Sequence, residues 1–261
     1  MTTVDCIIAL FCEVDEHMPG IPTHPHAPLW PSAVVTLGLL HALKGVGNRA
    51  LYRWLTKDAR VFLPRLPERT RLFRLCMTHQ DWTQVFLASP TVLGVSDTYG
   101  IEVIHPIREG RRLRPIGRKG LANHRWIVGG KVCRLLNQWG LVVAWDGATA
   151  NVADQTFQPL IRQGDGRMII FSATAFHAAA GDPPNLALCP RGQWNDRLRI
   201  ETVWSMRTVL SHGTKGMHRV WEYFQARLAF TMAVLNVLVQ WYGFSPEAQG
   251  FVPLSIAEFS L

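Results

Sequence analysis

Residues 91–106 read TVLGVSDTYGIEVIHP. The stretch alternates, is rich in Val and Ile, and is closed by Pro106, a pattern that predicts a β-strand. An acid, Asp97, sits in its middle. A carboxylate buried unpaired in a strand costs on the order of several kcal/mol of desolvation. Asp97 therefore needs a reason to be there, either a bound cation or an outward-facing place in a bulge before Gly100.

Reading toward the C-terminus, Trp126–Leu135 and Gly140–Trp145 predict two further strands. They are joined by a turn at 137–140 and end at Asp146-Gly147, where a turn and helix entry are expected. A helix from Asn151 or Asp154 to Arg162 follows, then a strand, RMIIFSAT, over 167–174. Residues 190–206, PRGQWNDRLRIETVWSM, predict a helix that carries Glu201. The last helix, 217–242, repeats apolar residues at 217, 220, 221, 224, 228, 232, 235 and 239, a stripe expected to pack on the sheet. Strand, strand, strand, helix, strand and helix make an α/β fold with a mixed sheet flanked by helices.

Reading toward the N-terminus, residues 3–16 have helical apolar spacing and break at MPGIPTHPHAPLWP. The nearby His17, His24 and His26 have no Cys or paired acid at ligand spacing, so the segment reads as a solvated loop. Ser32 is placed to cap a helix to Leu43, and Asn48 to cap another to Leu55. The glycine-containing link KGVG suits a helix-turn-helix, and a third helix is expected over 68–88. Arginines and lysines decorate these helices. A small helical N-terminal domain over 1–89 thus precedes the α/β domain over 90–261. It reads either as a DNA-binding module or as a helical subdomain with a solvated basic face.

The 261 residues are 48% hydrophobic and 18% charged, as in folded globular chains, and carry a formal charge of +8. With an isoelectric point near 9.7, a polyanion is the first partner to consider, the alternative being a merely soluble basic surface. The first thirty residues hold Asp5, Glu13, Asp15 and Glu16 and no Lys or Arg, so the positive charge lies on the body of the chain. Five scattered cysteines without a CxxC pair argue for reduced thiols and against a zinc ribbon. The N-terminal run lacks a basic region and a cleavage pattern, and the apolar run 228–242 is too short to span a bilayer. A cytoplasmic location away from membranes is the expectation.

Arg108, Arg111, Arg112, Arg114, Arg118, Lys119 and Arg125 face Glu109 alone in PIREGRRLRPIGRKGLANHR, a glycine-punctuated loop or hairpin able to drape on a phosphate backbone. Lys215, among Arg207, His212, His218 and Arg219, is a second candidate phosphate contact. The acids eligible for chemistry are Asp97, Asp146 and Glu201. Carboxylates converging from separate elements suit two-metal phosphoryl transfer, and oxygen-only ligation suits Mg²⁺ or Mn²⁺. Glu201 has a plainer reading as a surface ion pair with Arg197. Against that reading, Trp194, Leu198 and Ser205 lie on its side of the helix.

The order of strands, with an Asp in the first and a Glu on a late helix, resembles the ribonuclease H-like catalytic domain of DDE transposases from bacterial insertion sequences. The segments DTYGIEVIHPIREGR, HRWIVGGKVC, PPNLALCPRGQWNDRLRIETVWSM and HRVWEYFQARLAFTMAVLN carry the resemblance, which runs from about Ser32 to the C-terminus. It implies metal-dependent cleavage and strand transfer of an insertion sequence, with Mg²⁺ or Mn²⁺ as cofactor. It also implies double-stranded DNA, as element ends and target, for a partner, and a homodimer in the synaptic complex. The family's first catalytic Asp falls on Asp97 and its catalytic Glu on Glu201, both as metal ligands.

The second Asp of the family lies past the fourth strand in a pattern like LADTGFH. Here the stretch reads FSATAFH, which puts Ala173 in the acid's place. Asp165 and Asp182 are poorly placed to replace it, and Asp146 is the possible substitute. The expectation is a transposase impaired at position 173. The alternatives are a catalytically inactive DNA-binding remnant and a metal nuclease of the same fold.

Overall fold

The computed structural model describes residues 3–22, 25–110, 116–122, 125–189 and 220–242. In chain order these form helices α1 (Thr3–Glu16), α2 (Pro31–Lys44), α3 (Asn48–Lys57) and α4 (Arg69–Thr78), then strands β1 (Leu93–Ile104), β2 (Arg118–Ala122), β3 (Arg125–Asn137) and β4 (Val142–Thr149). Helix α5 (Gln158–Arg162), strands β5 (Ile169–Ala173) and β6 (Leu186–Cys189), and helix α6 (Trp221–Tyr242) complete the set. The chain divides into two compact units, Met1–Phe86 with Glu222–Leu261, and Leu87–Trp221.

The second unit is built around β1. That strand lies between β3, which runs antiparallel to it, and β5, which runs parallel. Beyond β5 lies β6, also parallel. The other edge of β3 is shared, with β2 along its first half and β4 along its second. Strand β1 holds its register against β3 from Gly94↔Asn137 to Glu102↔Gly129, then bulges at Val103 before Ile104↔Val128. Gly129 sits opposite this bulge, where a Cβ would run into the carbonyl oxygen of Ile101. In the β3–β4 turn, Asn137 Oδ1 accepts hydrogen bonds from the Trp139 and Leu141 N–H groups at 3.1 and 3.0 Å. Gly140 supplies the left-handed residue with φ 76°.

One face of this mixed α/β sheet carries a hydrophobic core in which Cys133 and Leu135 of β3 and Ile170 of β5 meet Phe157, Leu160, Ile161 and Phe176. The alternation of strand side chains fixes this face, and α5 with the 3-10 turn Asp154–Phe157 covers it. Lys131 Nζ anchors the entry to that turn by donating to Val152 O at 2.7 Å and to Asp154 Oδ1 at 2.8 Å.

In the first unit α2 is buried on nearly its whole circumference, as is α6 from Phe224 to Leu238. Helices apolar all round are core helices. They meet where Gly38 of α2 faces the Phe230 ring of α6, with no room for a Cβ. Asn236 Nδ2 donates to Phe86 O at 2.9 Å, and Trp241 Nε1 donates to Glu13 Oε2 at 3.4 Å. Helix α6 thus belongs to the helical unit and not, as its stripe suggested, to the sheet. The boundary expected at 89/90 falls at 86/87, and the sheet unit ends at Trp221.

Several local expectations change. The N-caps are Trp30 and Gly47, with Pro31 and Asn48 one residue inside their helices in place of the Ser32 and Asn48 caps. The helix expected over 68–88 stops at Thr78, where the Thr78 hydroxyl and His79 Nδ1 fold back on Leu75 O at 2.9 and 2.8 Å, and it resumes as a 3-10 turn, Gln80–Phe86. Strand β4 runs on through Thr149, so Asp146 lies inside a strand and not in a turn after it.

Candidate active site on the sheet

Asp97 lies near the middle of β1, which has a neighbouring strand on each side. Ser96, one residue earlier, points into the core, its Oγ 3.3 Å from Cys133 Sγ. Strand alternation therefore turns Asp97 to the opposite face. Ser96 is registered with Ser172 of β5, so Ala173, the next residue, stands beside Asp97 on the same face. Across the other side, Asp97 is the direct partner of Arg134, which in turn is the direct partner of Trp145 on β4. The rung on this face reads Ala173, Asp97, Arg134, Trp145.

The electrostatics of the rung are set by Arg134. Its side chain is buried, and burial lowers its guanidinium from 12.5 to about 10, with the Asp97 charge acting in the opposite direction. At neutral pH it remains a cation fixed next to the carboxylate. Asp97 Oδ1 also accepts the Thr98 N–H at 2.8 Å.

Asp146 does not join this group. It is registered with Cys133, one residue out of step with Arg134, and so lies on the other face. A one-residue slip of β4 would turn it to the Asp97 face, and Arg134 would still stand between the two carboxylates. Its Oδ1 accepts the Gly147 N–H at 2.7 Å. Asp182 is committed to its own loop, accepting from His177 Nδ1 at 2.8 Å and from Gln158 Nε2 and Ala178 N at 2.9 Å. The His177 hydrogen bond, foremost among these contacts, holds the Asp182 carboxyl below 3.8.

Glu201 lies outside the described residues, as do Arg111, Arg112, Arg114 and Lys215. Among the described residues no three His, Cys, Asp or Glu side chains gather as a metal site. For the two-ion centre that the resemblance implies, they supply one carboxylate, a methyl group where the second belongs, and a buried guanidinium beside it. That donor set does not fit two divalent cations.

No protein-family model, curated protein or solved structure matches the chain.

Of the basic candidates among the described residues, Arg118, Lys119 and Arg125 divide between the two faces of the β2–β3 pair. Arg108 ends the 3-10 turn Pro106–Arg108. Lys119, Leu121 and Trp126 share one face, since Leu121 is the direct partner of Trp126 and Lys119 of Val128. Arg118 and Arg125 lie on the other, and Arg125 reaches Glu102 at 4.0 Å. Glu109 accepts the backbone N–H of Lys119 at 3.2 Å. On α3, Arg49, Arg53 and Lys57 are exposed while Leu51 and Leu55 are buried. All five cysteines are free, and burial pushes Cys76 and Cys133 up to about 12, so both stay protonated. Among the described residues no helix is long and apolar enough to cross a membrane.

Sequence reading missed Arg134. The available signal was a cation in the apolar run VCRLL, and its meaning depends on the register against β1.

Proposed function

We propose that the chain is a DNA-binding protein of the DDE transposase kind, with a ribonuclease H-like sheet whose strand cleavage and strand transfer are impaired at position 173. The observation that carries the reading is the pairing of Asp97 with position 173 on one face of neighbouring parallel strands. Support also comes from the sheet order β4, β3, β1, β5, β6, in which the first three strands are antiparallel and the last two run parallel to β1. The resemblance requires two acids at those two positions, and this chain has one. Double-stranded DNA is the partner that the +8 charge and the exposed cations of α3 and β2 suit. Mg²⁺ or Mn²⁺ is the cofactor of the full site in that kind of enzyme. Synapsis of two DNA ends would call for a homodimer.

A second reading, a DNA-binding remnant without chemistry, is favoured by Arg134. A buried cation next to Asp97 supplies positive charge where the family uses a metal ion.

The test is nicking of supercoiled plasmid in Mg²⁺ and in Mn²⁺ by the wild type, Ala173→Asp, and Ala173→Asp with Asp97→Asn. Nicking by the single variant that the double variant lacks supports the impaired transposase. Equal nicking by wild type and Ala173→Asp refutes position 173 as the lesion. Binding of DNA with no nicking by any protein leaves the remnant, and no binding by the wild type removes both readings.

A further inference from the structure

We propose that Trp126 stacks on an unpaired nucleobase of bound DNA, with Leu121 beside it and Lys119 on the adjoining phosphate; the proposal rests on the DNA-binding reading above. Trp126 is 59% exposed and its cross-strand partner Leu121 is 58% exposed. They form an apolar pair on an arm of the sheet, and Lys119 Nζ lies 5.4 Å from the centre of the Trp126 ring. A large aromatic and a leucine presented together to solvent, with a cation on the ring, match how single-stranded DNA is held: a π face for the base and a charge for the backbone.

The arm holds these groups in place. Gly117, Gly120 and Gly129 let backbone meet backbone at its root: a Cβ on Gly117 would strike Gly129 O, one on Gly120 would strike Ala150 O, and one on Gly129 would strike Ile101 O. Ala150 N also donates to Gly129 O at 3.0 Å. Charge complementarity selects nucleic acid as the occupant. The stretch 108–125 holds seven Lys or Arg against Glu109, and an acidic protein surface would leave the flat ring without a matching partner.

The experiment measures binding of the full chain, in EDTA, to a fluorescein-labelled duplex with a single-stranded overhang and to its blunt counterpart. A 2-aminopurine in the overhang reports stacking from the DNA side, so the other tryptophans do not contribute. Wild type should quench the 2-aminopurine. Trp126→Ala should lose the quench and bind the overhang about tenfold more weakly, with the blunt duplex little changed, and Trp126→Phe should restore most of both. An unchanged melting temperature is expected, because the side chain is exposed. If Trp126→Ala binds and quenches as wild type does, the stacking role is overturned while DNA binding stands. If wild type binds neither duplex, the DNA reading fails and the stacking role with it.

Discussion

Asp97 on β1 and Arg134 on β3 are direct cross-strand partners, so a half-buried carboxylate and a buried guanidinium share one rung of the sheet. Removing the anion leaves a cation that water does not reach, whereas removing the cation leaves an acid that water partly reaches. Asp97→Asn should therefore destabilise more than Arg134→Gln. The double variant should reveal a coupling of about 1–2 kcal/mol, below the roughly 3–5 kcal/mol lost when a fully buried pair is broken. Urea unfolding of the four proteins measures it, and additivity within about 0.3 kcal/mol would show that the rung is not an electrostatic unit.

Asp182 ties down the loop after β5 and gives the fold an acid-sensitive point. Its folded pKa is depressed below 3.8, first by the His177 hydrogen bond and then by the Ala178 N–H. The unfolded chain therefore takes up the proton first as pH falls. The contribution is present above the ordinary carboxylate value and is lost as pH drops through the lower, folded value. Asp182→Asn should flatten the dependence of the urea midpoint on pH below about 4. An identical acid limb in both proteins would count against this assignment.

Gly38 and Phe230 make the contact that seats α6 in the helical unit. Alanine is a better helix former than glycine by about 1 kcal/mol, yet Gly38→Ala should destabilise by about 1–3 kcal/mol, because the new methyl group enters the ring. Adding Phe230→Leu should recover much of the loss. Stabilisation by Gly38→Ala alone would mean that α6 packs elsewhere.

The Ser172 hydroxyl is buried and finds no hydrogen-bond partner among the described residues. Ser172→Ala should be neutral or stabilise by up to about 1 kcal/mol, since it removes a polar atom that folding desolvates without return. A loss larger than that in thermal unfolding would reveal a bonded hydroxyl.

The parts of the fold legible in the sequence are those whose alternation is long. Strand β1 and the β3–β4 hairpin announce themselves through Val, Ile and the Asn137–Gly140 turn. Strand β2, RKGLA, hides behind its cations and glycine, and β6, LALC, is four residues after a proline-rich loop. The period of α6 marks it as buried but cannot say against what, because a helix apolar all round has no preferred partner face. Asp97 stands out as an acid in a strand. That Arg134 faces it, and that Asp146 does not, depends on the register of β3 against β1 and on the irregularity at Val143 in the β3–β4 ladder, which residue type alone does not specify.

The glycine-lined root of the β2–β3 arm makes the sheet a ruler. Arg134, opposite Asp97, and Trp126 lie on one face of β3 eight residues apart, or about 26 Å at the rise of a strand. On the DNA-binding reading proposed above, with each base-pair step at about 3.4 Å, that interval would correspond to roughly eight base pairs of straight duplex. Because backbone packing fixes the interval, surface substitutions on the arm can change the side chain at position 126 but not its distance from Asp97.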